Sequence, residues 1–427
     1  MKKIILTCSM LLAFAAAGGQ QVVTLWQCYD AAAAATPLAK ERDIYTELSS
    51  LRDQNLSASY LPGMDINGSY AYYSDIPDIE AIYGSLPIPP GTAPAIPHQF
   101  YKATLDISQV IWDGGVTRSA REVEEVIREL NMKQNEAAIY QLHDQINSYY
   151  FSMLLAASQA EVTGVLISEL DARMKEALSG VRNGVVPQVT VDILNAEKIK
   201  AEQMLVEIRH RHDAFRKALG QITGMTFAGD YAFLLPEPVI TGEETIDNPD
   251  IRLFDVRKRQ LGATMNLLKS QRMPKAFGFA QAGYGLPPGN NCFSEVPDPY
   301  YSVGVGIKWT IFDWNKTSNE RKYVTLQQQL LDINKSATEE SLQRVLTVKM
   351  AEIEALREAG GRDEELIMIR QKIAAVSASQ LKNGTITASE YLTELNGEKQ
   401  AVISAAVRKI NIARAEVEYI NITGINK

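Results

Sequence analysis

Three carboxylates follow two Asn-Gly pairs, each of which is typical of a tight turn between helices. Asp192 comes after Asn183-Gly184, and Glu390 and Glu394 come after Asn383-Gly384. Carboxylates that gather in rings around an opening attract cations and affect which ions pass through it. The sequence therefore offers these three groups as candidates for an acidic constriction.

Glu390 also has a purely local interpretation. Thr387-x-x-Glu390 is the capping-box pattern, in which each side chain accepts a hydrogen bond from the other residue's backbone N–H at a helix start. The sequence alone does not choose between the acidic constriction and the helix cap for Glu390. The turn residues themselves are candidates for contact with a partner protein, with simple packing of the turns as the alternative. These candidates are Asn183, Gly184, Val185, Asn383, Gly384 and Thr385.

Motifs of catalysis and metal binding are missing from the sequence. There is no Walker-type phosphate loop, no HExxH and no GxSxG. His210 and His212, two positions apart, would lie on different faces of a helix and make a poor metal clamp. The net charge of −8 argues against nucleic-acid binding. The sequence predicts a protein that is not an enzyme, with no cofactor, no metal and no nucleic-acid partner.

The N-terminus has the three parts of a secretory signal peptide. Lys2 and Lys3 precede an apolar run from Ile4 to Ala17, and small residues follow. A transmembrane anchor is the alternative, but the run is shorter than the ~20 residues that span a bilayer. We therefore predict a signal peptide over 1–19 and export of the chain. Because no later stretch reads as a spanning helix, any membrane span must be made of strands.

A long internal repeat organises the rest of the chain. The segment from Tyr101 to Thr117 shares tyrosine, isoleucine, aspartate and threonine positions with the segment from Tyr301 to Thr317. We predict a first structural repeat over 20–224, an equatorial linker over 225–248 and a second repeat over 249–427. Each repeat should run helix, strand, loop, strand, long helix, turn and helix.

Alternating segments predict two β-hairpins, over 61–112 and 274–312. In the clearest strand, Tyr301 to Ile311, aromatic and β-branched residues occupy one face and small or polar residues the other. Strands of ~9–11 residues fit a tilted membrane crossing, although half-buried strands of a soluble sandwich alternate in the same way. Four strands cannot close a barrel, and open edges cannot face lipid. Several chains should therefore share one barrel, with eight strands from two copies or twelve from three.

Helical hairpins are predicted over 113–224 and 313–424. Residues 118–180 contain no proline, which predicts a helix of about 60 residues and ~90 Å. Glycines predict bends or breaks at Gly164 and at Gly360-Gly361. The second helix of the first hairpin carries apolar residues at coiled-coil spacing. This seam comprises Leu194, Ala201, Leu205, Ile208, His212, Phe215, Leu219 and Ile222.

At this point the sequence resembles the TolC-type outer-membrane efflux proteins, over nearly the whole mature chain. Val23-Thr-Leu-Trp-Gln-Cys28 is similar to that family's common start, and Tyr60-Leu-Pro62 to the approach to its first β-hairpin. Ser108-Gln-Val-Ile-Trp-Asp-Gly-Gly115 resembles its strand-to-helix junction, with a looser copy at 309–314. Residues 183–197 resemble its helix-hairpin tip. The order and duplication of these motifs carry the resemblance.

The resemblance implies an α+β membrane protein in which long antiparallel helical hairpins form a trimeric α-barrel. Four strands per chain would contribute to a shared twelve-stranded transmembrane β-barrel. It further implies a homotrimer in outer-membrane lipid, with the helical barrel in the periplasm, a periplasmic adaptor and an inner-membrane pump. By position, Glu390 matches the first of two acidic residues at the family's aperture. Thr393 stands where the second would be, with Glu394 beside it.

These expectations describe a passive exit duct of a tripartite efflux or type I secretion system. A soluble periplasmic coiled-coil scaffold with small β-domains is the alternative from another class of protein. The two differ in whether the protein fractionates with membranes and needs detergent.

Overall fold

The computed structural model describes residues 21–77, 96–227, 231–238, 240, 245–291 and 294–424. The predicted signal peptide lies outside these residues. The chain divides into two compact units, and each unit draws on both halves of the sequence. Among the described residues, the helical unit falls within 21–39, 136–249 and 339–424, and the sheet unit falls within 40–135 and 250–338.

In chain order the elements are β1 (Gln21–Val23), α1 (Leu25–Ala35), a 3₁₀ helix (Pro37–Lys40), α2 (Glu41–Ala58), β2 (Gly63–Tyr72), β3 (Gln99–Trp112), α3 (Val116–Tyr140), α4 (Leu142–Arg182), α5 (Gln188–Thr223), β4 (Tyr231–Phe233), α6 (Pro249–Gln271), β5 (Lys275–Leu286), β6 (Asp298–Lys308), α7 (Lys316–Gly360), α8 (Asp363–Lys382) and α9 (Ala388–Thr423). The four long strands and the long helical hairpins match the predicted mixture of helix and sheet.

The four long strands form one antiparallel sheet in the order β2-β3-β5-β6. Its register pairs Asp106 with Gln281, for example, and ends at Lys275 opposite Lys308. Within the described ranges, β2 and β6 each pair with another strand on one side only. Each of these edge strands therefore presents a row of backbone N–H and C=O groups without a partner in the sheet.

Because side chains alternate along a strand, the register gives the sheet two distinct faces. The apolar face carries Met64, Ile66, Tyr70, Tyr72, Leu105, Ile107, Tyr284, Tyr301, Val303, Val305 and Ile307. The polar face carries Asp65, Asn67, Lys102, Thr104, Asp106, Gln281, Ser302, Lys275 and Lys308, together with Phe277 and Phe279.

Two predictions about strands were wrong. The strand expected over Tyr301–Ile311 ends at Lys308, because its partner β5 begins at Lys275 and the preceding residue, Pro274, has no N–H to donate. The count of four strands also missed two short ones. Strands β1 and β4, of three residues each, pair in parallel and place Val22 opposite Ala232. Three residues are too few to show an alternating pattern.

The helices of the sheet unit follow the same order as its strands. Ion pairs join α2 to α3 (Arg121 to Asp53, 2.8 Å), and α3 to α6 (Arg259 to Glu129, 2.5 Å). A further ion pair, from Lys258 to Asp332 at 2.7 Å, joins α6 to α7. The resulting order, α2-α3-α6-α7, leaves α2 and α7 as the outer helices.

The helical unit contains most of the buried apolar residues. Helix α4 packs along α5, and α9 packs along both α4 and α8. The largest core cluster is built around Ile146, Tyr150 and Phe151 of α4 and Leu219 of α5. The predicted coiled-coil seam of α5 is confirmed, because its eight residues are all buried or half-buried. Helix α1, which the sequence did not predict, packs against α4 and α5.

Glycines predicted bends or breaks at two places, and only one of the two is a helix break. Gly360-Gly361 is confirmed as a break, since α7 ends at Gly360 and α8 begins at Asp363. Gly164, however, lies inside the uninterrupted helix α4, at a position where a Cβ atom would meet nothing within 4 Å. The interruption falls instead at Gln141, which keeps near-helical dihedral angles (φ −63°, ψ −17°).

The expectation that no later helix could span a membrane was also wrong by the criteria of length and composition. One helical stretch, Val116–Arg182, is long and apolar enough. Core helices pass the same test, and this stretch supplies Ile146, Tyr150 and Phe151 to the core of the helical unit.

Candidate functional site: the helix tips and the sheet surfaces

The first Asn-Gly pair makes a tight turn between α4 and α5. Asn183 ends α4, and Gly184 takes a left-handed conformation (φ +73°) that glycine adopts without strain. The backbone N–H groups of Val185 and Val186 both donate to the carbonyl of Gly180, at 3.0 and 3.3 Å. Val185 is 75% exposed, so the turn presents an apolar side chain to solvent.

The second pair makes an equivalent turn between α8 and α9. Gly384 has φ +69°, and both the backbone N–H and the hydroxyl of Thr385 donate to the carbonyl of Gln380 at 3.0 Å. Asn383, Gly384 and Thr385 are exposed, as are Asn183 and Gly184. All six tip candidates therefore lie at accessible turns.

The capping box predicted for Glu390 is present. Glu390 Oε2 accepts from the Thr387 backbone N–H at 2.8 Å, and Thr387 Oγ1 accepts from the Glu390 N–H at 3.3 Å. The pKa of Glu390 is lowered mainly by the hydrogen bond from the Thr387 backbone and to a smaller extent by the one from the Thr387 side chain. Glu390 therefore stays ionised at the exposed N-terminus of α9, where the helix dipole also favours a negative charge.

The other two candidate carboxylates lie on neighbouring helices and have different partners. Glu394 Oε2 is 3.4 Å from Arg370 Nη1 on α8, so its charge is partly balanced. Asp192 is exposed and accepts a hydrogen bond from Gln188 Nε2 at 3.1 Å. No described contact joins the three carboxylates to one another.

A cleft of about 460 Å³ brings the two tips together. Val185 and Val186 of the first turn line it, with Asn383 and Gly384 of the second turn on the other side. Leu381 contributes to an apolar cluster beneath the turns. The two turns, far apart in sequence, thus form one surface.

A buried polar network that the sequence analysis missed couples α4 to α9 behind the tips. Lys399 is 8% exposed, and its Nζ lies 3.0 Å from both Glu169 and Glu398. Burial by itself lowers the pKa of Lys399, but the two carboxylates outweigh it and raise the pKa. The match of Asn195-Ala-Glu-Lys198 to Asn396-Gly-Glu-Lys399 places this lysine in a repeated segment, but it gives no sign that the side chain is buried.

Tyr391 extends this network and is fully buried. Its hydroxyl lies 3.4 Å from Glu169 Oε1 and 3.4 Å from Arg173 Nε. Burial raises the pKa of Tyr391 to about 12, so the phenol remains a neutral donor. The network fixes one helix pair against the other at a point close to the cleft.

The sheet carries two groups of exposed aromatic side chains. One group lies at the end of the sheet where loops join β2 to β3 and β5 to β6. The other group lies at the opposite end, where the strands lead into the helices. The first group is Tyr70, Tyr72, Tyr284 and Tyr301, and the second is Trp112, Trp309, Phe312 and Trp314. Between them the apolar face is highly exposed, as at Val305, which is 81% accessible. A soluble protein rarely exposes so continuous an apolar surface.

Hydrogen bonds cross the polar face from strand to strand. Asp106 accepts from Asn67 Nδ2 at 2.6 Å and from Gln281 Nε2 at 2.5 Å. Three strands are thereby joined by side chains as well as by backbone. These side-chain contacts reinforce the register of the sheet on its polar face.

Exposed apolar stripes run along the outer helices of the sheet unit. On α2 the stripe is Ile44, Leu48 and Leu51, and on α7 it is Leu326, Leu330 and Ile333. Both stripes have helical spacing. The α7 stripe lies opposite the face that carries buried Val324. Each outer helix therefore has an apolar side turned away from its own unit.

The described residues contain no group of three or more His, Cys, Asp or Glu side chains able to hold a metal ion. His212 is half-buried on the α5 seam and lies 3.7 Å from Asp213, while His210 is exposed.

Neither a family model nor a curated protein matches the sequence. Solved structures do match the fold. The CusC channel superposes with a TM-score of 0.70 at 10% identity, over 94% of this chain and 92% of CusC. The chain adopts the TolC-type fold. The outer-membrane protein VceC of Vibrio cholerae superposes on it with a TM-score of 0.67 at 12% identity, covering 94% and 96% of the two chains.

A third structure of the TolC-type fold, the CmeC outer-membrane channel of Campylobacter jejuni, gives a TM-score of 0.65 at 14% identity. It covers 94% of this chain and 85% of CmeC. The resemblance read from the sequence is thus confirmed at the level of the fold. At these identities the likeness concerns the backbone architecture alone.

Proposed function

We propose that this chain forms a homotrimeric outer-membrane channel that serves as a passive exit duct for efflux or secretion. The observation that carries the proposal is the pair of unsatisfied edges of the sheet unit. Strand β2 and helix α2 form one edge, and strand β6 and helix α7 form the other.

The two edges are complementary, because each carries open backbone groups and an exposed apolar stripe. Pairing β2 of one copy with β6 of the next would satisfy the open backbone groups, and the same contact would cover the stripes on α2 and α7. Such a head-to-tail interface forms a closed ring when the rotation returns to the start. Three copies give a twelve-stranded barrel, a size that encloses a channel, whereas eight strands are filled by their own side chains.

The two faces of the sheet support a place in the outer membrane. The apolar face, flanked by two groups of aromatic residues, fits the lipid band and interfacial girdles of a membrane barrel. Strand β6 has 11 residues, which matches a tilted membrane strand of ~9–11 residues. The polar face would then line the water-filled interior.

The helix tips are the proposed end for docking and gating. In this proposal the residues Asn183, Gly184, Val185, Asn383, Gly384 and Thr385 meet a periplasmic adaptor, which links the channel to an inner-membrane pump. Asp192, Glu390 and Glu394 line the aperture and attract cations. Energy for transport comes from those partners.

The decisive experiment is to extract the protein from the outer-membrane fraction in mild detergent and measure its native mass and its conductance in planar lipid bilayers. A particle of three chains that conducts ions supports the proposal. A monomer that stays in solution without detergent and does not associate with membranes would overturn it in favour of the periplasmic scaffold.

A further inference from the structure

Two lysines face each other at the base of the sheet. Lys275 on β5 and Lys308 on β6 are directly paired in the antiparallel register, so both side chains lie on the polar face. Like charges placed directly opposite on neighbouring strands destabilise a sheet. An arrangement with this cost calls for a compensating negative charge.

That charge is not supplied within the described part of the chain. No carboxylate there forms an ion pair with Lys275 or Lys308, although many surface lysines, such as Lys258 and Lys335, do have such partners. Asp113 lines the same cleft as the two lysines, but its oxygens already accept hydrogen bonds from the backbone of Gly115 and Thr117 at 2.8 and 2.6 Å.

Both lysines line a cleft of about 700 Å³ whose other walls are largely apolar. Leu61, Val110 and Phe277 are among the residues that line it. The end of the Phe277 ring lies over Gly306, since a Cβ atom at Gly306 would come within 2.5 Å of Phe277 Cζ. An aromatic surface therefore lies beside two uncompensated ammonium groups.

We propose that this cleft is a binding site for amphipathic anions, with the anionic group held by Lys275 and Lys308 and the apolar body against Phe277. A compact apolar ring bearing a sulfonate or carboxylate has the matching chemistry. The site rests on the proposed channel function, because the polar face must line the water-filled interior for cargo to reach it. It would favour anions on the exit path, past the acidic tips.

A neighbouring copy is the competing occupant. Lys308 lies on the edge strand β6, so Asp65 on β2 of the next copy is a carboxylate that assembly could bring to it. The test has to separate a free anion site from an ion pair between copies.

The experiment uses the full-length channel in planar lipid bilayers with naphthalene-2-sulfonate as probe and 2-naphthylmethylammonium as the cationic counterpart. The concentration of each probe that halves the conductance is measured, along with the reversal potential in a KCl gradient. The variants are Lys275→Gln/Lys308→Gln, Phe277→Ser and Asp65→Asn. Lys102→Gln, an exposed lysine of the same polar face near the other end of β3, is the matched control.

We expect the sulfonate to block the native channel and the ammonium to be much weaker. The double lysine variant should need about tenfold more sulfonate, the loss expected for charge-assisted contacts, and its reversal potential should move toward cation preference. Phe277→Ser should weaken the block without moving the reversal potential, and Lys102→Gln should leave the block unchanged.

Equal block by the two probes, or an unchanged block in the double lysine variant, would overturn the site. So would a native channel that ignores the sulfonate while Asp65→Asn becomes sensitive to it, since the lysines would then be paired between copies. If the native protein does not conduct, the proposed function fails. Equilibrium dialysis of the probe against the amphipol-solubilised protein and its lysine variant then decides on the binding site by itself.

Discussion

Asp113 accepts a hydrogen bond from the backbone N–H of Thr117 at 2.6 Å and so caps the first turn of α3 immediately after β3 ends. Asp313 accepts from the Thr317 backbone N–H in the same way, at 3.0 Å, ahead of α7. Each long strand that leads into a long helix therefore does so through a defined cap. At these two junctions the caps fix the start of each helix relative to the strand that precedes it.

The first prediction concerns the acid stability of that cap. Burial would raise the pKa of Asp113, but hydrogen bonds from Thr117 and Gly115 outweigh it and lower the pKa to about 2. Because the folded pKa lies below the unfolded value of ~3.9, this stabilisation is complete above the unfolded pKa and is lost as pH falls through the folded one. Asp113→Asn should therefore lower the Tm at neutral pH. Between about pH 4 and 2, the Tm of the variant should decrease less than the Tm of the native protein does.

Thermal unfolding followed by circular dichroism, across that pH range, measures the effect. Asp75→Asn, in an exposed bend, is the control and should keep the native profile. A profile of Asp113→Asn that parallels the native one would show that the cap contributes nothing to acid stability.

The second prediction concerns assembly through the outer helices. Leu48→Glu places a carboxylate in the α2 stripe, where the proposed contact would bury it at a cost of several kcal/mol. The variant should lose the trimer in native mass spectrometry while keeping its helical content. Ser50→Glu, on the same helix but outside the stripe, should remain trimeric. Trimers in both variants would place the interface elsewhere.

The third prediction separates the cap from the rest of the tip. Thr387→Ala removes one side of the capping box and should cost about 1 kcal/mol of local helix stability. Backbone hydrogen exchange in the first turn of α9 should be about fivefold faster, which is the factor that corresponds to about 1 kcal/mol. Thr393→Ala is the control, because its hydroxyl donates only to the Ser389 carbonyl within the helix. Equal exchange in the two variants would mean that the cap does not hold the turn.

The fourth prediction tests the charge of Glu390 apart from its cap. Glutamine also serves at the third position of a capping box, so Glu390→Gln should preserve slow hydrogen exchange while removing one negative charge per chain. If the carboxylates form an acidic ring, the reversal potential in a salt gradient should shift toward lower cation preference. An unchanged potential with unchanged exchange would leave Glu390 as a helix cap alone.

The fifth prediction compares two glycines of the helical unit. Gly424 has φ +78°, and a Cβ atom there would lie 2.4 Å from the backbone oxygen of Asp247. Gly424→Ala should therefore destabilise the protein by roughly 1–3 kcal/mol. Gly164→Ala, where a Cβ meets nothing within 4 Å, should instead stabilise by about 0.5–1 kcal/mol. Thermal melting of the two variants should move in opposite directions, and a shared sign would contradict the geometry.

Local features of this protein were predictable from the sequence because each depends on neighbouring residues. The Asn183-Gly184 and Asn383-Gly384 turns need only a residue that tolerates a positive φ. The Thr387–Glu390 cap spans four residues, and the alternation of β6 and the seam of α5 repeat within a few residues. The ordered motifs that led to the TolC-type resemblance are combinations of such local features.

The tertiary structure decided what depends on which distant segments meet. No local sequence pattern predicts these contacts. They are the parallel pairing of β1 with β4, the burial of Lys399 against Glu169 and the placement of Lys275 opposite Lys308. Each depends on the register between segments far apart in the chain, and that register is set by the packing of the whole unit. The sequence by itself therefore determined the long strands, the long helices and the turns at the helix tips, whereas only the tertiary structure decided which distant side chains meet.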